Sequence, residues 1–200
     1  MSKIAIKGAT TGTGVFTLES PATNTDRTLV LPDEAGTVLT SASGLTAGNL
    51  TGSVPASAMP AGSVIQVVQM YSTTAFSTTS TSFVDVTGYA ASITPTSSSS
   101  KILVMIDSFT SNNAAYQYTW IQVVRNSTVV IDPLVTMMFT GIYGSTGIPT
   151  NGAKLDSPNT TSPVTYKVQI RAEAGTSRIG AGGTGAGGYP TALTLMEISA

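Results

Sequence analysis

Acid–base chemistry on this chain would have to come from few carboxylates. After residue 100 these are Asp107, Asp132, Asp156, Glu173 and Glu197. Hydrolysing a glycosidic bond needs two carboxyl groups flanking one sugar, one as acid and one as nucleophile or base. No spacing here pairs any two of them. Asp132 precedes Pro133, and Asp156 precedes Ser157-Pro158, which reads as turn chemistry. Glu197 falls in a strand pattern, with Arg171 or Arg178 as a partner for its charge. Histidine and cysteine are absent. The usual general base, the commonest metal ligand, the thiol nucleophile and the disulfide are therefore all missing. The expectation is no enzyme, with no catalytic residues, no cofactor and no metal site. A cation would need several convergent oxygen ligands, which only carboxylates gathered at a symmetry axis could supply.

Two glycine-rich stretches fail on context. Gly180 to Gly185 (GAGGTG) has the letters of a dinucleotide loop, but Pro190 blocks the helix that must follow. It reads as a loop whose glycines permit positive φ and close packing. The early GATTGTG lacks the lysine of a phosphate loop. The triplets at Asn49, Asn126 and Asn159 match a glycosylation sequon, which has no meaning without a secretory signal.

Recognition chemistry is better represented. Trp120, in YQYTWIQ, could stack on a sugar, although its apolar strand favours a place in the core or at a subunit interface. Met137 to Pro158 and Ala174 to Pro190 are rich in Gly, Ser and Thr and read as long loops. Loops at the end of a β scaffold are where binding usually sits. The receptor-binding candidates are accordingly Tyr143, Asn151 and Tyr189.

The elements that must position these residues are strands. No segment keeps a 3.6-residue period, and short β-rich runs alternate with Gly, Pro, Asn, Asp and Ser clusters. Strands are expected at Ser63–Met70, Phe83–Tyr89, Ala90–Thr94, Lys101–Asp107, Tyr118–Arg125, Thr128–Ile131, Ser162–Glu173 and Thr191–Ile198. Lys101–Asp107 (KILVMID) is apolar on both faces, as in a central strand covered on each side. Asn126-Ser127 marks a hairpin. In Ser162–Glu173, Val164, Tyr166, Val168 and Ile170 face one way and Thr165, Lys167, Gln169 and Arg171 the other. About eight strands in roughly 140 residues fit an all-β, jelly-roll-like sandwich.

The leading third is different. Three weak strands, Val15–Glu19, Thr28–Leu31 and Thr37–Leu39, carry two or three apolar side chains each, too few for an isolated hairpin. Residues 41–62 space Leu45, Leu50, Val54 and Met59 among small residues. Burial worth about 2 kcal/mol per side chain cannot offset an ordering cost of about 1–2 kcal/mol per residue. The zone is either a flexible linker or a strand that meets copies of itself. In the second case those four residues are the trimer contacts.

Charged residues make up 10% of the chain and the net charge is −1, against about a quarter charged in ordinary soluble domains. Nucleic acid is not an expected partner. No apolar run approaches the ~18 residues of a membrane span, so no membrane insertion is expected. The first residues show no apolar secretory stretch, which suggests a soluble chain assembled in a cytoplasm.

Gly14 to Ala42 (GVFTLESPATNTDRTLVLPDEAGTVLTSA), with its turn Leu31-Pro32-Asp33-Glu34-Ala35-Gly36-Thr37-Val38-Leu39, resembles an N-terminal module of bacteriophage tail-fibre and virion proteins. Gly44 to Pro60 is similar to the connector of such fibres. Phe76 to Asp107, Asp156 to Thr176 and the terminal TLMEI are similar to C-terminal domains of phage and cyanophage fibres. The resemblance implies a homotrimer without catalysis, docked on the virion by its N-terminal part and meeting the host with a C-terminal knob. The expected organisation is a virion-attachment β module at 1–40, an extended trimeric connector at 41–62 and a β-sandwich knob at 63–200. Expected partners are other virion proteins through residues 1–60 and a host surface glycan or protein. A capsid-decorating head fibre or cement protein is the first alternative, and a glycan depolymerase the second.

Overall fold

The computed structural model describes residues 11–14, 24–26, 28, 58–137, 147–182 and 187–200. The chain divides into two compact units, Met1–Thr51 and Gly52–Ala200. Of the first unit, the few described residues are exposed and lie outside strands. The expected strands at Val15–Glu19 and Thr37–Leu39, nearly all of Thr28–Leu31, the contacts Leu45, Leu50 and Val54, and Tyr143 lie outside the described residues.

The second unit holds ten described strands: β1 (Val64–Ser72), β2 (Phe76–Thr78), β3 (Val84–Ile93), β4 (Lys101–Asn112), β5 (Tyr118–Arg125), β6 (Thr128–Met137), β7 (Ile148–Asp156), β8 (Val164–Ala172), β9 (Ser177–Ile179) and β10 (Thr191–Ile198). One sheet runs β1-β10-β4-β9-β2, with β7 on the free side of β4, and the other runs β3-β8-β5-β6. Every pairing is antiparallel. Short β2 and β9 continue the lines of β1 and β10, because β4 pairs with β10 up to Asp107 and with β9 from Thr110. The long strands therefore lie as β1-β10-β4-β7 facing β3-β8-β5-β6. The chain crosses between the sheets after β2, β3, β4, β6, β7 and β8, while β5 and β6 form a hairpin within one sheet; such repeated crossing is the habit of a jelly roll.

Alternation explains the core. Ile102, Val104 and Ile106 from β4 are buried, as are Leu193 and Leu195 from β10. They meet Ile121 and Val123 from β5 and Tyr166, Val168 and Ile170 from β8. β8 alternates buried and half-buried along its whole length, in the phase its sequence dictates. Fully burying such a side chain is worth about 1.5–3 kcal/mol, so this interior is what holds the two sheets face to face. One end of the interior is polar instead. The hydroxyls of Thr110, Thr136 and Thr150 bond one another at 2.7–2.9 Å, so none of them is buried without a partner.

Several expectations change. Lys101–Asp107 is not covered on both sides: Leu103 is half-buried and Met105 is 40% exposed. Phe83–Tyr89 and Ala90–Thr94 form one strand, β3, whose register against β8 shifts between Asp85 and Ala90. Gly88 sits in that shift at φ 84°, a conformation costly for other residues. The Asn126-Ser127 hairpin forms as expected, with Asn126 at φ 54°. Asp132 lies within β6 and Asp156 ends β7 rather than making turns.

The stretch Met137–Pro158, read as a loop, contains β7. After Ile148, the positions on its inward phase are Thr150, Gly152, an exposed Lys154 and Asp156, so no apolar alternation announced it. Each has a tertiary reason. Thr150 joins the threonine cluster, and Lys154 reaches Asp132 at 3.2 Å. A Cβ on Gly152 would stand 2.9 Å from Leu134. Asp156 meets Arg125. The other expected loop, Ala174–Pro190, contains β9.

Candidate functional site

The register arranges the outer face of the six-stranded sheet in rows across β1, β10, β4 and β7. One row is Val67, Met196, Leu103 and Leu155. The next is Gln69, Thr194, Met105 and Ala153, and the third is Tyr71, Ala192, Asp107 and Asn151. The rows differ in height. Ala192 and Ala153 contribute only a methyl group each, whereas Met105, Asp107 and Asn151 stand above them. The result is an open dish of about 520 Å³ whose lining includes Gln69, Met105, Asp107, Asn151, Ala192 and Thr194. Tyr71, 63% exposed, stands at its rim beside Ala192.

The polar groups of the dish are partly committed. Gln69 donates from Nε2 to Thr194 Oγ1 at 2.9 Å, and Asn151 Oδ1 accepts from the Ser108 backbone N–H at 3.3 Å. Gln69 Oε1 and the Asn151 side-chain N–H groups make no further hydrogen bond among the described residues. Asp107 is exposed and makes no ion pair among the described residues. Among the described residues the lining contains one carboxylate and no cation.

Of the expected receptor-binding residues, Asn151 is in this dish, placed there by a strand rather than a loop. Tyr189 is half-buried and packs on Phe109, with ring centroids 5.3 Å apart. Phe109 follows Asp107 by two residues, so that aromatic pair lies one step beyond the third row. Met59, 38% exposed, lines a separate hollow of about 330 Å³ with Ile65, Thr96 and Ser199. Gln69 and Tyr71 had drawn no attention in the sequence, and Asp107 had been weighed only as a catalytic carboxylate. The period-2 phase of β1 does set Val67, Gln69 and Tyr71 on one side, but their meeting with Asp107 depends on the register through β10.

The buried charges serve the scaffold. Arg125 Nε donates to Asp156 Oδ2 at 2.6 Å and Tyr166 Oη donates to the same oxygen at 2.8 Å. This clamp ties β5 and β8 of one sheet to β7 of the other. Burial opposes the charged Asp156 carboxylate, but the hydrogen bonds from Arg125 and Tyr166 outweigh it and hold its pKa below the ordinary value. Burial and the adjacent carboxylate push the Tyr166 phenol upward, so it stays a donor. Glu197 does not meet Arg171 or Arg178. Its Oε1 accepts from the Thr96 backbone N–H and hydroxyl, both at 2.7 Å, and its Oε2 from Gln66 Nε2 at 2.5 Å. Burial again works against the charge, and these donors again win, lowering the pKa. Trp120 is half-buried on the outer face of the four-stranded sheet, where the Arg171 guanidinium lies 4.3 Å from its ring centroid.

No protein-family model matches this chain, and no curated protein matches it. Among solved structures it is similar to the infectious bursal disease virus VP2 subviral particle, at 16% identity and a TM-score of 0.37, over 68% of this chain and 38% of that one. It is likewise similar to infectious bursal virus derived T=1 particles, at 16% identity and a TM-score of 0.36, over 68% of this chain and 36% of that one. The match thus spans little more than a third of those viral chains' length.

Proposed function

We propose that this chain is a structural fibre protein of a bacteriophage virion. In this reading it is a homotrimer, attached to other virion proteins through residues 1–60, whose β-sandwich meets a host surface glycan. The observation that carries the reading is the open outer face of the six-stranded sheet. An apolar row there borders a dish with an exposed tyrosine and a carboxylate that has no ion-pair partner among the described residues. The resemblance of Gly14–Ala42 to virion attachment modules supports the rest. The mechanism is adhesion: weak single-site contacts gain avidity because copies are held together on one particle.

Binding is favoured over hydrolysis because the dish lining brings one carboxylate where a glycosidase needs two. A capsid-decorating protein is the second reading. The row Val67, Met196, Leu103 and Leu155 favours it, since an uncharged apolar strip suits contact with another virion protein.

Light scattering on the free protein tests the assembly: a mass three times the 20.3 kDa chain is expected, and a 20.3 kDa particle overturns the trimer. Inhibition of virion attachment by free protein is the outcome expected of an adhesin. Antibody labelling of virions separates fibre from shell, and new reducing ends on host polysaccharide would reveal a depolymerase.

A further inference from the structure

We infer that the dish between β1 and β7 recognises an amino sugar through its protonated amine. The inference deepens the adhesion reading and rests on it for the glycan. Three observations select this ligand. Among the described residues, the exposed carboxylate of Asp107 has no ion-pair partner and no Lys or Arg lines the dish. Charge complementarity therefore favours a cation and disfavours sialylated, phosphorylated or sulfated sugars. The Gln69 Oε1 acceptor belongs to the same lining and adds a second electronegative group to the dish.

The shape argues for a ring. Asp107 and Tyr71 are two strands apart in one row, with only the methyl group of Ala192 between them. Strand spacing makes that gap about 10 Å, which admits one sugar ring lying on Ala192. Tyr71 is exposed enough to cover an apolar sugar face, and Asn151, next beyond Asp107 in the row, offers N–H donors to the adjoining part of an oligosaccharide. A carboxylate-to-ammonium hydrogen bond is roughly twice as strong as a neutral one. The amine is therefore the discriminating group, and the hydroxyls set orientation.

The test is calorimetric or NMR titration of the full chain with a glucosamine oligosaccharide, its N-acetylated counterpart and a glucose oligosaccharide. The deacetylated ligand should bind about tenfold or more tightly than either of the others, and raising salt should narrow the gap. Asp107→Asn should abolish the preference, whereas Asp132→Asn, outside the dish, should leave it intact. Chemical shift changes should centre on Tyr71, Asp107 and Asn151. Equal binding of all three sugars, no binding at millimolar ligand, or an unchanged preference in Asp107→Asn overturns the inference. A melting curve matching the parent shows that each variant is folded. The broader reading fails separately. If wild-type protein blocks virion attachment and Asp107→Asn blocks it equally, the dish assignment falls and adhesion stands. If the amine preference holds but free protein never competes with virions, adhesion falls.

Discussion

The two outer faces of the sandwich are built to different ends. On the four-stranded sheet, polar groups are paired with one another. Lys167 reaches Asp85 at 2.9 Å, Gln169 donates to Asp85 at 2.7 Å, and Gln122 donates to Gln169 at 2.7 Å. Arg171 lies against both Phe83 and Trp120, at 5.4 and 4.3 Å. On the six-stranded sheet, the corresponding surface carries Val67 and Leu155 more than half exposed, and an aspartate without a counter-ion among the described residues. One face pairs most of its polar groups with one another, although Val135 beside Trp120 is still 44% exposed. The other leaves both apolar area and charge for something outside the unit, and a chain this poor in charge has few other surfaces to offer.

The largest expected effect comes from breaking what both faces share. Asp156→Ala leaves Arg125 and Tyr166 facing an empty position and should cost about 3 kcal/mol, measured by urea unfolding. Acid probes the same clamp. Asp156 and Glu197 have native pKa values below their ordinary ones. Their stabilisation is therefore complete above the ordinary carboxylate range, near pH 4, and is lost as pH falls through the lowered native values. Melting temperature should drop steeply below about pH 4, and the slope should flatten in Asp156→Asn.

The next effect separates the faces. Arg171→Ala should cost about 1 kcal/mol through lost contact with Trp120 and should shift tryptophan fluorescence. Val67→Lys with Leu155→Glu should stay within about 0.5 kcal/mol of the parent, yet should lower binding of a hydrophobic dye. Unchanged dye binding would mean that the apolar row is not the exposed patch it is taken for. Smallest of all is Lys167→Ala, at about 0.5 kcal/mol or less, because both partners of that pair are largely exposed. A loss above 1 kcal/mol would mean that this pair is more than a solvated surface contact.

How much of this was legible beforehand depended on what each strand faces. β8 could be read directly, because its inward residues are all apolar and its outward ones are Thr165, Lys167, Gln169 and Arg171. β7 could not, because after Ile148 a threonine, a glycine, a lysine and an aspartate follow on its inward phase and each is satisfied by a partner distant in sequence. β4 was misjudged in the opposite sense. Leu103 and Met105 look like core residues, and only the absence of a covering layer among the described residues shows that they form an outer face. Asn151 was singled out for the wrong local reason, as a loop residue, and it reaches the dish through strand pairing with Asp107.

From the order of its residues alone, this chain was committed to an all-β fold without histidine or cysteine chemistry. Side-chain alternation and turn residues act over a few positions, so they survive without any knowledge of the whole. The dish could not be anticipated in that way. Tyr71, Asp107, Asn151 and Ala192 are brought into one row by hydrogen-bond registers between strands far apart in sequence. Only the packed sandwich selects those registers, because a slip of one residue would turn Val104 and Leu195 out of the core.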